Sequence, residues 1–477
     1  MRAVFSFPVV LGALLVLLTM FTVRSRFSDP DTWWHLKVGE LIWTTHSIPR
    51  ADSFSFTAYG HAWIAQEWLS ELAMYGAWKL GGYVGLMLGF SLIAALLIVA
   101  AYVLCTCYSG NCKVAFLGGV VVWLFSTIGL AIRPHMIGYL LMVCELLIIH
   151  LGRSRNTKWF LGLPFLFALW INFHSSFFFG LVVLGVVVCL SFLDMEAGLL
   201  TSTRWTNEQR KRIVIASVLS IGALFANPVG PKLLWYPVDV MINQPLNIGI
   251  VEEWQQTSFS DPRGMALLAV GALVLLVPLM RRVDLFASEL SLIALGFAFA
   301  IRHERMLFVF GILAAPVLCR LLATAWDRYD PRRDSVLASG VMLGLVACVT
   351  VFSVPGRQNL EQQVEKANPA KALRFLRKSG LTGPMLNEYV FGGYLIWAAP
   401  EHKVFVDGRA DLHESAGVLR DYAKWILVQT SGSELLDKYA IRICLLSRNA
   451  PMTRVLPLLP GWKQAYSDEL AVVFARQ

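Results

Sequence analysis

Charge is scarce in this sequence. Charged residues make up 15% of the 477-residue chain, against roughly 25% in soluble domains. That shortage excludes an ordinary soluble domain. The apolar runs lack the strict alternation of a membrane barrel, and open sheets cannot satisfy their backbone in lipid. Cysteine gives no disulfide framework. Of the eight, only Cys444 lies in the polar last quarter, and most of the rest sit in apolar runs. Cys105, Cys107 and Cys112 match no standard zinc spacing. No small-x-small cleavage site precedes "SRFSDPD", so the first apolar run reads as a retained span. No repeat or low-complexity segment is apparent.

What is present is hydrophobicity: 56% of residues. Apolar runs long enough to cross about 30 Å of hydrocarbon recur over the first three quarters. The expected fold class is a polytopic α-helical membrane protein with about 11 transmembrane helices and a C-terminal extracytoplasmic α/β domain. The expected spans are 4–23, 84–105, 114–131, 136–152, 158–173, 175–194, 212–226, 265–280, 286–301, 306–323 and 335–353. The expected domains are 1–353, transmembrane, and 354–477, extracytoplasmic. The net charge of +9 lies mostly in short loops, where basic residues orient spans, and nucleic-acid binding is not expected. With the N-terminus inside, inner loops hold fourteen basic residues, Arg2 and Arg328 among them, and short outer turns hold three, Arg133, Arg302 and Arg305. That asymmetry places the N-terminus in the cytoplasm and the last domain outside, consistent with a bacterial inner membrane location.

The unusual polar clusters then fall on the outer side: "DPDTWWH", "RPH" (133–135), "NFHSS" (172–176), "ANPVGPK" (226–232), "VEEWQQTSFSDP" (251–262) and "RHER" (302–305). Such one-sidedness implies a composite site at that surface. The loop 24–83 is too long for a simple connection. Within it, "TWWHLKVGELIWTT" and "AQEWLSELAMYGAWKL" have apolar residues at helical spacing and read as two interfacial helices rich in Trp.

These features resemble the GT-C superfamily of membrane glycosyltransferases. Members take a sugar from a polyprenyl-phosphate carrier on the outer face, and an acidic residue just after span one is catalytic; Asp29 and Asp31 stand there. "VEEWQQTSFSD" (251–261) is similar to a functional outer-loop motif of the oligosaccharyltransferase catalytic subunit, with Glu253 matching its Glu. "NEYVFGGYLIWAAPEHKVFVDGRADLH" (387–413) and "LLDKYAIRICLL" (435–446) resemble that subunit's outer domain, and "GGYLIW…DGR" runs also occur in bacterial glycosyltransferase-like multi-span proteins. The chain departs from the family in lacking Trp-Trp-Asp before Tyr-Gly, so acceptor recognition does not carry over. It also lacks the acidic pair of the second outer loop, which here is only "AIRPHMI".

The resemblance implies transfer of a sugar or glycan from a polyprenyl-phosphate donor, in contact with the lipid bilayer, to an acceptor the sequence does not name. A carboxylate takes the acceptor's proton, and Asp29 or Asp31 is the candidate, with Glu253 as the other catalytic candidate. Guanidinium forks suit a leaving phosphate, which nominates Arg133, Arg302 and Arg305. His135, His174, His303 and Glu67 complete the substrate-binding candidates; a structural hydrogen bond is an equal reading for His174. Hard oxygen ligands would favour Mg²⁺ or Mn²⁺, with Asp29 and Glu253 as the ligands. Glu145, inside an expected span, reads as structural, and Asp407–Arg409 reads as a surface turn ion pair. The alternative is a non-catalytic polysaccharide assembly, export or transport protein. A transporter should carry ionisable groups near the bilayer midplane, and only Glu145 approaches that.

In the last quarter, "NPAKALRFLRKSG" reads as a helix with Asn N-cap and terminal Gly. "KVFVDG" and "AIRICLL" read as buried strands, "SGSELLDKYA" as a helix, and "GWKQAYSDELAVVFAR" as a hairpin.

Overall fold

The computed structural model describes residues 4–24, 26–327 and 329–477. Arg2 and Arg328, which count toward the orientation, lie outside the described residues. The chain folds as two compact units. The first is built from 1–24, 87–237 and 252–354, the second from 25–86, 238–251 and 355–477.

The first unit is helical. Each of the eleven expected spans falls on a helix, with ends shifted by a few residues except where the second lies within a much longer helix: Phe7–Val23, the long helix Trp68–Ser109, Cys112–Ser126, His135–Ser154, Thr157–Phe173, Phe177–Leu190, Asn207–Ala223, Pro262–Arg281, Ala287–Arg302, Leu307–Leu322 and Val336–Phe352. Among the described residues, four helical stretches are long and apolar enough to cross a membrane by themselves: Trp68–Ser109, His135–Ser154, Pro262–Arg281 and Glu304–Ala325. Val336–Phe352 with Arg357–Ala367, bent by 58°, makes a fifth if the pair is one span. The others are shorter or less apolar. Sequence windows count hydrophobic residues, whereas a helix ends where its caps and turns stop it.

Leu307–Leu322 is the core of this unit, with nearly every side chain buried. A Cβ on Gly118 would lie 2.3 Å from Cys319 Sγ, so glycine lets the helix Cys112–Ser126 press against it. Phe125 and Phe310 meet edge to face across the same contact, with centroids 5.6 Å apart.

The second unit is composite: residues 25–86 and 238–251 join 355–477. Trp34, Val38 and Ile42 from the first outer helix share one core with Leu373, Leu376, Leu395, Ile443 and Val473. The last quarter carries an apolar face that its own elements do not cover, and the loop after span one supplies the cover. The first outer helix runs Asp31–Thr45. The second begins at Trp68 and, instead of stopping before span two, continues through a kink at Gly81 and Gly82 to Ser109; Gly82 sits at φ 54°, ψ −133°, a conformation open to glycine.

The sheet has four strands, Met385–Asn387, Ile443–Ser447, Ala471–Arg476 and Trp462–Ser467, in that spatial order. The first two pair parallel and the rest antiparallel, with the expected terminal hairpin at one edge. The helix Ala370–Ser379 ends at Gly380 in the left-handed conformation as expected. Asn368 is not its N-cap: its side chain donates to the Val364 carbonyl and closes the preceding helix. "KVFVDG" is not a strand. Asn387 stands in for a ladder partner, accepting from Phe405 N–H and donating to Val406 O, both at 2.7 Å. A single parallel bridge ties Val404 to Ser55, and the side-chain amide satisfies the buried backbone just beyond it.

Candidate functional site

Two polar clusters stand out, one in each unit. In the first unit, "VEEWQQTSFSD" is laced to the turn at 300–305. Thr257 N–H donates to Ile301 O at 3.2 Å, Thr257 Oγ1 to Ala300 O at 2.5 Å, and Glu304 N–H to Gln255 O at 2.9 Å. This lacing presents Glu253 to two guanidiniums. Arg133, from the turn before His135–Ser154, bonds directly to Glu253, and Arg305 Nη1 lies 3.7 Å from Glu253 Oε2. Burial by itself would push the Glu253 carboxyl up, but Arg133 and Arg305 overcome it and bring it down to about 2. Glu253 is therefore an anion at any working pH, and two cations face one anion.

The surrounding groups are ordered. Trp254 carries Arg305 at 5.2 Å over its ring, and its carbonyl is held by His303 Nδ1 at 2.7 Å. His135 and His174 have ring centroids 6.3 Å apart. His135 Nε2 is 2.6 Å from Gly129 O, and His174 Nδ1 accepts from Ser176 N–H at 3.0 Å. Arg302 stands outside this cluster and is exposed. Glu304 takes Arg263 at 2.9 Å.

In the second unit, Asp29 sits just before the helix Asp31–Thr45, and its Oδ1 accepts the Asp31 N–H at 3.0 Å. Asp29 is partly exposed, while Asp31 is buried and its Oδ1 accepts Trp34 Nε1–H at 3.1 Å. The glycines of "FGGY" and "DGR" close this region. A Cβ on Gly408 would lie 1.8 Å from Asp31 Oδ1, and one on Gly393 would lie 2.2 Å from Pro30 O. Both motifs are thus places where backbone meets the acidic turn at contact distance.

Behind them, Asp407 and Arg409 are wholly buried, a correction to the surface ion pair expected from sequence. Arg409 grips Asp407 in a fork at 2.8 and 2.7 Å and reaches Asp52 at 2.7 Å. Its guanidinium also stacks near Phe54 and Trp63, 5.1 and 4.9 Å from their ring centres. His413 Nε2 is 3.0 Å from Asp407 Oδ2. Burial alone would raise the Asp407 carboxyl; Arg409 and His413 hold it well below the carboxylate range instead. Sequence reading missed Asp52, His35 and Glu71 as members of this buried network. Glu67, expected to bind substrate, faces His35 here, with Oε2 3.5 Å from His35 Nε2.

The structure therefore gathers Arg133, Glu253, Arg305, His135, His174 and His303 in one unit, and Asp29, Asp31 and Glu67 in the other. Glu253, as a proposed metal ligand, is already engaged by two guanidiniums, which weighs against that role.

No family model matches the chain, and no curated protein matches it. Solved structures do. The oligosaccharyltransferase of Archaeoglobus fulgidus, tethered to an acceptor peptide containing the NVT sequon, aligns over 91% of this chain and 69% of its own with a TM-score of 0.57 at 12% identity. The same archaeal enzyme, AglB, with an inhibitory peptide and a dolichol-phosphate, gives 0.55 at 10% over the same shares. ArnT from Cupriavidus metallidurans bound to undecaprenyl phosphate aligns over 98% of this chain and 97% of its own, with 0.53 at 15%. At such identities the likeness is one of fold. The chain has the GT-C fold that its motifs resemble.

Proposed function

We propose that the protein is an integral-membrane glycosyltransferase that moves a sugar or glycan from a polyprenyl-phosphate-linked donor to an acceptor on the extracytoplasmic face. The observation that carries this reading is the Arg133–Glu253–Arg305 cluster with its three histidines, an excess of guanidinium charge in a helical, apolar unit. The neighbours' lipid phosphates, undecaprenyl and dolichol phosphate, are ligands of the chemistry such a cluster suits. The membrane location, with the N-terminus cytoplasmic, belongs to this proposal.

The reaction forms a bond from the acceptor's nucleophile to the anomeric carbon. It breaks the bond from that carbon to the phosphate oxygen, which leaves with the electron pair. Arg133 and Arg305 offset the charge that develops on the phosphate. Glu253 keeps the two forks in register, which their mutual repulsion would otherwise spread. The acceptor's proton goes to a carboxylate. Asp29 is favoured over Asp31 because it is the more exposed of the two, while Asp31, held by Trp34, orients the turn. No step is assigned to Mg²⁺ or Mn²⁺.

The test is glycan transfer in membranes supplied with polyprenyl-phosphate sugars, comparing wild type with Asp29→Asn, Asp31→Asn and Glu253→Gln at equal protein levels. Product from wild type and its loss in Asp29→Asn support the reading. Absence of product across a broad donor set, or equal product from all variants, overturns it in favour of a non-catalytic assembly or transport protein.

A further inference from the structure

The second unit holds a buried acidic centre that the transfer chemistry does not use. Its described buried ionisable residues are Asp31, His35, Asp52, Glu67, Glu71, Asp407, Arg409 and His413. Five carboxylates are set against one guanidinium and two imidazoles. Burying a carboxylate oxygen with no partner is costly, and one such oxygen, Glu71 Oε2, lies in this centre.

That oxygen sits where two helices meet. His35 and Gly39 lie one turn apart on the helix Asp31–Thr45, and Glu67 and Glu71 one turn apart at the start of the next. A Cβ on Gly39 would lie 2.0 Å from the Glu71 carbonyl oxygen, so glycine draws the two backbones together at this level. His35 then stands between the two carboxylates, 3.0 Å from Glu71 Oε1 and 3.5 Å from Glu67 Oε2. The three residues are 3%, 7% and 1% exposed for His35, Glu67 and Glu71. Glu71 Oε2 is buried with no hydrogen-bond partner. One nitrogen from His35 and one oxygen from each carboxylate lie within 4.8 Å of one another. Tetrahedral ligands at about 2.1 Å from an ion stand about 3.4 Å apart, inside that outer limit, so the three side chains would turn inward as one ion binds.

We propose that His35, Glu67 and Glu71 hold a divalent transition ion of the zinc type. One imidazole with two carboxylates is a mixed nitrogen–oxygen set. Such a set takes Zn²⁺ more tightly than Mn²⁺ by the usual affinity order, and its nitrogen makes Mg²⁺ and Ca²⁺ poor fits. The ion gives Glu71 Oε2 the cationic partner it lacks. It also ties the turn carrying Asp31, four residues before His35, to the start of the second outer helix. This site shares no residue with the Arg133–Glu253–Arg305 cluster, so its failure leaves the transfer proposal standing.

The test is metal content. The full chain is purified in detergent without chelator and its zinc is measured by plasma mass spectrometry, with expectation of about one ion per chain. Chelator-stripped protein is then titrated with zinc chloride by calorimetry. Glu71→Gln and His35→Ala should lose the ion, whereas Glu414→Gln, a variant of a carboxylate that caps Leu246 and Asn247 elsewhere in the unit, should keep it. Wild type that elutes without zinc and takes up none on titration overturns the proposal, whether or not the variants fold. Zinc retained equally in Glu71→Gln and His35→Ala also overturns it.

Discussion

Replacing Arg409 by Met tests whether the buried ion pair holds the second unit together. Met keeps an apolar stem but stops short of the guanidinium, so it removes the fork on Asp407, the contact with Asp52 and the stacking over Phe54 and Trp63. Asp407 and Asp52 are then left in the interior with no guanidinium. Breaking a buried pair from one side costs about 3–5 kcal/mol, a large part of the roughly 5–15 kcal/mol that holds a domain folded. For a unit of this size each kcal/mol moves the melting midpoint by about 2–4 °C, so the variant should melt roughly 6–20 °C below wild type. Tryptophan fluorescence of the detergent-solubilised full chain on heating reads this directly.

The pH dependence supplies a second, opposite-signed readout. In wild type the folded Asp407 carboxyl lies below its unfolded value, so its stabilisation is present above the ordinary carboxylate range and is lost only as pH falls through and below it. Wild type should be flat from pH 8 to 5 on this account. In Arg409→Met burial acts without its counter-charge and raises the same carboxyl. The folded state then takes up a proton more readily than the unfolded one, and the variant should regain stability as pH falls toward 5. A variant that melts with wild type at pH 7, or that loses stability faster than wild type on acidification, refutes the argument.

Three further outcomes are expected. Gly39→Ala places a Cβ 2.0 Å from the Glu71 carbonyl and must part the two outer helices; overpacking of this kind costs about 1–3 kcal/mol, read as a lower melting midpoint, and an unchanged midpoint would show that the helices give way freely. Glu253→Gln leaves Arg133 and Arg305 facing each other without an anion, and transfer should fall while the folded chain is recovered at wild-type yield, measured as glycan product per unit protein. Because Glu253 is held down to about 2 by those arginines, its titration should contribute nothing to a pH–activity profile between pH 5 and 8; an acidic limb in that range that disappears in Glu253→Gln would contradict the geometry.

Much of the helical architecture was legible in the sequence because hydrophobicity is a local property. Eleven apolar stretches announced eleven helices, and Pro, Gly and polar turns marked their ends. The residue types suited to an anionic lipid phosphate were legible too, since arginine and histidine in an otherwise uncharged chain are conspicuous. The outer helix at Asp31–Thr45, the terminal hairpin and the helix ending at Gly380 follow from the same short-range rules of periodicity, turn chemistry and capping.

Long-range partnership was a different matter. Nothing near Asp407 in the chain signals that Arg409 will be buried with Asp52, because Asp52 lies in the loop after span one. "KVFVDG" has strand composition, yet the side chain of Asn387, far back in sequence, takes the hydrogen bonds a strand would have taken. Nothing local to "FGGY" and "DGR" names a partner; the fold uses Gly393 and Gly408 to let backbone touch the acidic turn at Pro30 and Asp31. His35, Glu67 and Glu71 become one centre only because Gly39 brings two helices into contact. Sequence by itself determined which segments are apolar and which charges the chain can spare. Tertiary structure decided which of those charges meet out of water, because the cost of burying a charge is settled by neighbours that the chain brings in from tens or hundreds of residues away.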